Sequence, residues 1–209
     1  MRSARRGAAV GAAACFVGGA VAVTVAVVAG PASGWTGYVS EAGTGAGGYA
    51  SAYRIGVVVF AAGLLPLAAA LVATDRLAAA LFRCAALGGF LSGTVTCSAG
   101  CPLPPFEAAT AADMVHGAAS VAAVAATVLA MPVLALNATT TASRRATLVA
   151  AALAFPLSGL VGVGMLAVGR GAFVGITERI LLIVVALWLI GLSLHKSRDG
   201  VAAGRDGTP

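Results

Sequence analysis

The chain alternates long uncharged apolar runs with short polar segments. Six of these runs approach the length of a membrane-spanning helix, which needs about 20 apolar residues. They lie at residues 8–30, 55–74, 77–96, 113–136, 147–168 and 179–194. The pattern predicts an all-α integral membrane protein, a bundle of six transmembrane helices that forms a single domain over residues 1–195. Residues 196–209 are predicted to be a disordered cytoplasmic tail.

The composition narrows the class of protein. Hydrophobic residues make up 60% of the chain and charged residues 10%, against roughly 25% charged in an ordinary soluble domain. No connection can hold an independent domain of about 50 residues or more, which excludes a large catalytic or DNA-binding domain. The net charge of +6 would suggest a nucleic-acid partner if the cations formed a patch on a soluble surface. They lie at helix ends instead, so we expect no nucleic acid.

The distribution of positive charge predicts the orientation, because cytoplasmic helix ends retain Lys and Arg. With the N-terminus inside, the outer ends carry only Arg54, Arg170 and Arg179 of the thirteen basic residues. The inner ends carry the other ten, which are Arg2, Arg5, Arg6, Arg76, Arg83, Arg144, Arg145, Lys196, Arg198 and Arg205. We therefore expect both termini in the cytoplasm. Enrichment in Arg, Ala, Gly and Val is typical of a GC-rich genome, and we expect a bacterial plasma membrane.

The first span has features of both a signal peptide and a membrane anchor. The first span follows a basic segment, so it can be a cleaved signal peptide or a retained anchor. Its apolar run is longer than a typical signal-peptide core, which favours retention.

The first outer connection, residues 31–54, is rich in Gly, Ser and Ala and carries four aromatic residues. We expect it to lie as a loop at the headgroup boundary, where Trp and Tyr are enriched.

Two cysteines bracket a short turn at the outer end of the third span. An oxidising outer location permits a disulfide between Cys97 and Cys101, and Gly100 allows the tight turn that brings the two residues within bridging reach. A metal site would need two further ligands, and no other paired Cys or His motif supplies them. The spacing is not C-x-x-C, which makes catalytic redox use less favoured. We expect a structural disulfide and no metal.

A carboxylate and an imidazole lie at the outer start of the fourth span. Asp113 and His116 are three residues apart and share one helix face, where a carboxylate can orient the ring or bind a metal with it. Alternatively, Thr110 and Asp113 form a capping box. Capping leaves His116 unexplained, because a polar ring one turn into an apolar helix needs a partner. Both interpretations stay open.

The sixth span begins with a second group of charges. Thr177 is predicted to cap this helix, with Glu178 and Arg179 in its first turn. The threading places Glu178 and Arg179 at the same outer boundary as Asp113 and His116. Charges are scarce in this chain, so their grouping predicts an outer-face polar cluster, which comprises Asp113, His116, Glu178, Arg179, Arg170 and Glu107.

Several activities find little support in the residues. No P-loop, zincin, nucleophile-elbow or haem-attachment motif is present. A zinc hydrolase with three His ligands is excluded because the chain has only two His, and His195 lies at the opposite face from His116. Pro66 and Pro156 interrupt two spans near mid-membrane, which is a feature of transporters. However, the spans carry no mid-membrane ionisable residue of the kind that coupled carriers use.

Ordered polar landmarks between the apolar runs carry a family resemblance. They are residues 95–107, Asp113 to Gly117, the segment 165–171, Glu178 with Arg179, and Trp188. In these the chain is similar to a bacterial membrane protein family known as domain of unknown function 998, over roughly residues 50 to 195. The resemblance implies a six-helix membrane protein with no established activity. It also supports one outer cluster that includes Cys97 and Cys101.

The leading hypothesis is a multi-pass membrane protein without enzymatic activity. It would bind a lipid, a small molecule or a partner at the outer-face polar cluster. One alternative is an outer-leaflet hydrolase that uses Asp113, His116 and Glu178, and another is a small-solute transporter. We expect no cofactor. The expected partners are membrane lipids, with a homo-oligomer or another membrane protein as a further option.

Overall fold

The computed structural model describes residues 2–30 and 37–205. Within these ranges the chain is helical, and six helices are long and apolar enough to cross a membrane. Their bounds are α1 Arg2–Ala29, α2 Gly48–Leu71, α3 Arg76–Thr94, α4 Ala111–Leu136, α5 Thr141–Ala167 and α6 Ala172–Arg205. This architecture confirms the predicted six-helix membrane protein.

Each helix begins before the apolar run that predicts it. Helix α5 begins at Thr141, where the Thr140 hydroxyl accepts a hydrogen bond from the Ser143 amide. Helix α6 begins at Ala172, directly after a turn in which Gly169 has φ +73°. The predicted cap at Thr177 is therefore wrong: its hydroxyl lies inside the helix and donates to the Phe173 carbonyl. Helix geometry continues wherever backbone donors find acceptors, whatever the polarity of the side chains.

The C-terminal segment differs from its prediction as a disordered tail. Helix α6 continues through it to Arg205, while residues 206–209 lie outside the described part of the chain. The segment carries Val201, Ala202 and Ala203 and has no proline before Pro209, so its local sequence allows a helix to continue.

The helices pack in sequence order and close into a ring. Each helix contacts the next along the chain, and α6 returns to pack against α1. The core runs through the centre of this ring and contains large side chains from several helices. Its most deeply buried members are Phe16, Leu67, Leu71, Phe82, Met131 and Leu189.

Glycines allow the closest approaches between neighbouring helices. Gly19 of α1 faces Gly56 of α2, and a Cβ added at Gly19 would lie 2.6 Å from the Gly56 carbonyl oxygen. Gly89 and Gly93 of α3 face α2, where added Cβ atoms would lie 2.7 Å from Ala61 Cβ and 2.8 Å from Val58 Cγ2. Small residues at these positions let the backbones pack tightly, as is common in membranes.

The two ends of the bundle differ in their connections. The α1–α2, α3–α4 and α5–α6 connections lie at one end, which we call the long-loop end. The α2–α3 and α4–α5 connections lie at the other, which we call the short-loop end, together with both terminal helix ends. There the Asp75 carboxylate caps α3 by accepting from the Ala78 amide at 2.9 Å. The α2–α3 connection is thus a tight hairpin in which Asp75 is the cap of α3.

Candidate functional site

The α1–α2 connection folds back over the long-loop end. A short 3₁₀ helix, Val39–Gly43, lies in this connection, and Tyr38, Val39 and Glu41 are buried. Tyr53, at the start of α2, is also buried, whereas Tyr49 is 44% exposed. Tyr38, Val39, Glu41 and Tyr53 pack on the bundle itself, while the position of the loop at the headgroup boundary stays a prediction. Trp35, the fourth aromatic residue of the predicted loop, lies outside the described residues.

A buried carboxylate explains why this connection packs inward. Arg170, in the α5–α6 turn, donates from Nε and Nη2 to the two carboxylate oxygens of Glu41, at 2.7 and 2.6 Å. The Glu41 side chain is 3% exposed and that of Arg170 is 43% exposed. The hydrogen bonds to Glu41 raise the pKa of the Arg170 guanidinium and so favour its charged form. The pair ties together two connections that are far apart in sequence.

Glu178 and Arg179, about two turns into α6, hold the same connection. The Val39 amide donates to the Glu178 carboxylate at 3.0 Å. Nη1 of Arg179 donates to the carbonyl of Gly37 at 2.7 Å. Glu178 and Arg179 therefore contact the same connection as Arg170, and each contacts its backbone.

Tyr38 is a buried polar group of this region whose hydroxyl has no hydrogen-bond partner among the described residues. Its hydroxyl is buried and accepts or donates no hydrogen bond within residues 2–30 and 37–205. Burial raises the pKa of the Tyr38 hydroxyl, and the carboxylates of Glu178 and Glu107 raise it further. The phenol therefore stays neutral in the folded protein at any physiological pH. Glu107 itself has an exposed side chain.

Asp113 performs two structural tasks at the start of α4. It forms the predicted capping box with Thr110, whose amide and hydroxyl each donate to Oδ2 at 2.7 Å. Its oxygens also accept from the amide of Ser98 at 2.6 Å and from the Ser98 hydroxyl at 3.2 Å. Four hydrogen bonds thus fix the α3–α4 turn against the helix start.

That turn carries both cysteines over His116. The structure joins Cys97 and Cys101 in a disulfide with a Cα–Cα distance of 5.0 Å, and Gly100 between them has φ +85°. His116 is 5% exposed, and its Nδ1 lies 2.8 Å from the Val95 carbonyl oxygen. Nε2 is buried with no hydrogen-bond partner among the described residues. The sequence predicts a polar partner for His116 without identifying it. That partner is the Val95 carbonyl, which contacts Nδ1 only.

The α1–α2 connection and the α3–α4 turn meet at the disulfide. The Ser40 hydroxyl lies 3.3 Å from Cys101 Sγ and donates to it. Tyr38, Val174 and both cysteines form one buried apolar group. Ser40, Glu41 and Ser98 are thus parts of the cluster that the sequence reasoning misses. A signal exists for Glu41, which is the one acidic residue in the first connection of a chain with seven acidic residues.

A second candidate site lies at the short-loop end. A groove of about 480 Å³ opens between the first half of α5 and the second half of α6. Trp188 forms part of its wall, and its Nε1 donates to the Thr147 hydroxyl at 3.3 Å. Leu153 and Leu187, also in the wall, are 50% and 66% exposed, so the groove opens toward the outside of the bundle.

A small polar recess adjoins this groove. It measures about 70 Å³ and shares Ser143, Thr147 and Leu192 with the groove. Lys196 lines it, together with Asn137, whose side-chain amide donates to Asp75 at 2.8 Å. The apolar groove is therefore adjacent to a polar recess that is lined by both a cation, Lys196, and the carboxylate of Asp75.

The chain matches one protein family over most of its length. The model of a family described as a protein of unknown function, DUF998, matches residues 6–195. The chain belongs to the DUF998 family. No curated protein and no solved structure matches it.

The geometry of this DUF998 protein bears on the hydrolase hypothesis. The four hydrogen bonds of Asp113 go to the α3–α4 turn and to its own cap. Glu178 accepts from the α1–α2 connection. A carboxylate held in this way braces a loop and is poorly placed to take a proton from a substrate. In this DUF998 chain the hydrolase assignment of Asp113, His116 and Glu178 therefore stays a prediction without support from the contacts.

Proposed function

We propose that this protein binds an anionic phospholipid in the α5–α6 groove, in a bacterial plasma membrane with both termini in the cytoplasm. The observation that carries the proposal is that the apolar groove adjoins the polar recess beside Lys196 and shares three lining residues with it. This proposal keeps the lipid as the expected ligand and moves its site from the outer-face polar cluster to the short-loop end.

The groove has the size and lining for part of an acyl chain. Ligand pockets measure roughly 300 to 1,000 Å³ and are lined mainly by apolar and aromatic side chains. The groove lies within that range, and its walls are formed chiefly by small and branched apolar residues, among them Ala146, Ala150 and Leu153. Trp188 is only 7% exposed, so its ring forms a rigid inner surface rather than a part of the general lipid-facing surface.

The charge at the mouth of the groove favours an anionic headgroup. Lys196 lines the polar recess together with Asp75, whose carboxylate accepts from the Asn137 amide. His195 lines the groove, and Arg144 and Arg145 lie in the first turns of α5 next to Ser143, so the cations outnumber the one carboxylate. A compact ammonium group beside a hydroxyl suits a phosphate. Basic residues beside a membrane attract anionic lipids by about 1 kcal/mol each, and the predicted orientation puts this end at the cytoplasmic leaflet, where such lipids are found.

Quenching of tryptophan fluorescence tests the proposal directly. The chain has two tryptophans, Trp35 and Trp188, so a Trp35→Phe variant reports from the groove alone. We would reconstitute it in phosphatidylcholine vesicles that contain a small fraction of either brominated phosphatidylglycerol or brominated phosphatidylcholine. At equal bromolipid fractions we expect phosphatidylglycerol to quench Trp188 more strongly, because a bound chain lies against the ring.

Two further variants separate the groove from general contact with lipid. Lys196→Gln should abolish the difference between the two lipids, and Ala146→Phe, which fills the groove, should reduce quenching by both. Arg54→Gln, at the opposite end of the bundle, is the matched charge control and should change neither result. Equal quenching by the two lipids in the Trp35→Phe protein would overturn the proposal.

A further inference from the structure

We infer that Cys97, Cys101 and His116 form a metal-binding site when the disulfide is reduced, and that the site takes a thiophilic cation such as Zn²⁺. The inference concerns the long-loop end and does not depend on the proposed lipid site. It also departs from the expectation of no metal, because the sequence does not reveal that the turn places His116 beside both cysteines.

The first support is distance. A ring nitrogen of His116 and the two cysteine sulfurs all lie within 4.8 Å of one another, and all three residues are buried. Zinc bonds of roughly 2.0 to 2.3 Å in tetrahedral geometry place ligand atoms roughly 3.3 to 3.8 Å apart. Breaking the disulfide lets the sulfurs separate toward that spacing, and the imidazole needs to move only slightly.

The second support is the state of the imidazole. The Val95 carbonyl can only accept, so Nδ1 carries the hydrogen of the 2.8 Å bond between them. In the neutral ring Nε2 then holds a lone pair, and this atom is buried without a hydrogen-bond partner in the described part of the chain. A metal-binding histidine commonly has this arrangement, with one nitrogen held by a carbonyl and the other directed at the ion.

The third support is the bracing of the turn. Asp113 accepts from the Ser98 amide at 2.6 Å, which fixes the turn between the two cysteines. The Ser40 hydroxyl donates to Cys101 Sγ at 3.3 Å, and such a donor stabilises a thiolate. Two thiolates and one imidazole are a known zinc ligand set that leaves a fourth position for water or another ligand.

The chemistry balances with a dithiol as the reductant. The dithiol gives two electrons and two protons to the Cys97–Cys101 bond, which breaks into two thiols while the dithiol becomes a cyclic disulfide. Binding of Zn²⁺ then displaces the two thiol protons to solvent, and the Nε2 lone pair supplies the third bond. Oxidised protein has no thiolates and should not bind the ion at this position.

The composition of the chain offers matched controls for every ligand. The measurements use a Cys15→Ser/Cys84→Ser protein in detergent, in which Cys97 and Cys101 are the remaining cysteines. After reduction and removal of the dithiol, Zn²⁺ is added, excess ion is removed, and bound zinc is measured by mass spectrometry of the element. We expect one zinc per reduced protein and none per oxidised protein.

The two histidines then distinguish a specific site from adventitious binding. His116→Ala should weaken zinc binding at least tenfold, whereas His195→Ala should leave it unchanged. Co²⁺ in place of Zn²⁺ should give a thiolate-to-metal charge-transfer absorption band in the reduced protein, and this measurement requires no substitution at a ligand. Equal zinc in the oxidised and reduced proteins, an absent cobalt band, or equal loss in both histidine variants would each overturn the inference.

Discussion

At the scale of single residues, Glu41 determines how the α1–α2 connection is attached to the bundle. Its carboxylate is almost fully buried. It accepts hydrogen bonds from the Arg170 guanidinium and, at 2.9 Å, from the Tyr38 amide. Since Arg170 keeps 43% of its side chain exposed, the guanidinium is only partly desolvated. The pair therefore stabilises the loop without the full desolvation cost of a buried ion pair.

Removal of this charge should loosen the connection. Glu41→Gln keeps an acceptor for the Tyr38 amide but loses the ionised partner of Arg170, so we expect the free energy of unfolding to fall by about 2 kcal/mol. Unfolding in a denaturing detergent, followed by circular dichroism, measures this change. Glu107→Gln removes an exposed carboxylate at the same end and should change stability by less than about 0.5 kcal/mol. Equal losses in both variants would show that Glu41 acts through general charge alone.

Asp113 fixes the α3–α4 turn against the start of α4. Asp113→Ala removes the capping box and both contacts to Ser98, so we expect a loss of about 2 to 3 kcal/mol in unfolding free energy. The freed turn should also expose the disulfide, and its reduction by a dithiol should become several-fold faster. Thr140→Ala, which removes the cap of α5 at the other end, is the control. It should lower stability by about 1 kcal/mol without changing the rate of reduction.

The candidate site could be predicted only in part, for reasons visible in these residues. The capping role of Asp113 follows from its spacing to Thr110, which is local. The pairing of Glu41 with Arg170 spans 129 positions, and residues of that separation are brought together only by the packing of the helices. The proximity of His116 to the cysteines likewise depends on the Asp113 contact with Ser98. The groove escapes prediction because its lining resembles any other lipid-facing surface.

At the scale of helices, the apolar runs predict that six helices exist but not the residues at which they begin and end. A run of about 20 apolar residues has no alternative in a bilayer, because its backbone groups must pair internally. Beyond the hydrocarbon the constraint disappears, and polar residues continue a helix freely. This is why α5 begins at Thr141 and α6 at Ala172, each about a turn or more before its apolar run.

Two adjacent glycines of α1 should respond in opposite directions to the same substitution. Gly19 packs on α2 with no room for a Cβ, whereas an added Cβ at Gly18 meets nothing within 4 Å. Gly19→Ala should therefore lower the unfolding free energy by more than about 1 kcal/mol through overpacking. Gly18→Ala should leave it unchanged or raise it by about 0.5 to 1 kcal/mol, since alanine favours the helix. Similar effects at both positions, again measured in denaturing detergent, would contradict the α1–α2 packing.

At the scale of the whole molecule, α1 belongs to the ring. It packs against α2 and against α6, and Phe16 is completely buried in the shared core. Cleavage after α1 would remove that side chain and leave α2 and α6 without a common neighbour. The packing thus supports a retained first span, and the intact mass of the protein purified from membranes checks it. Loss of the first 30 or so residues would contradict retention.

The orientation of the ring decides which leaflet the groove serves. Six spans place both termini on one side, and the excess of Lys and Arg at the short-loop end predicts that this side is the cytoplasm. Fusion of a fluorescent protein after residue 209 should then give bright bacterial cells, while alkaline phosphatase at the same point should be inactive, because each reporter folds on one side of the membrane only. Fusions truncated after Ala108, in the α3–α4 connection, should give the reverse pattern. If the two sets of fusions exchange their results, Lys196 faces the outer leaflet, and the charge argument for an anionic lipid loses its basis even though the groove remains.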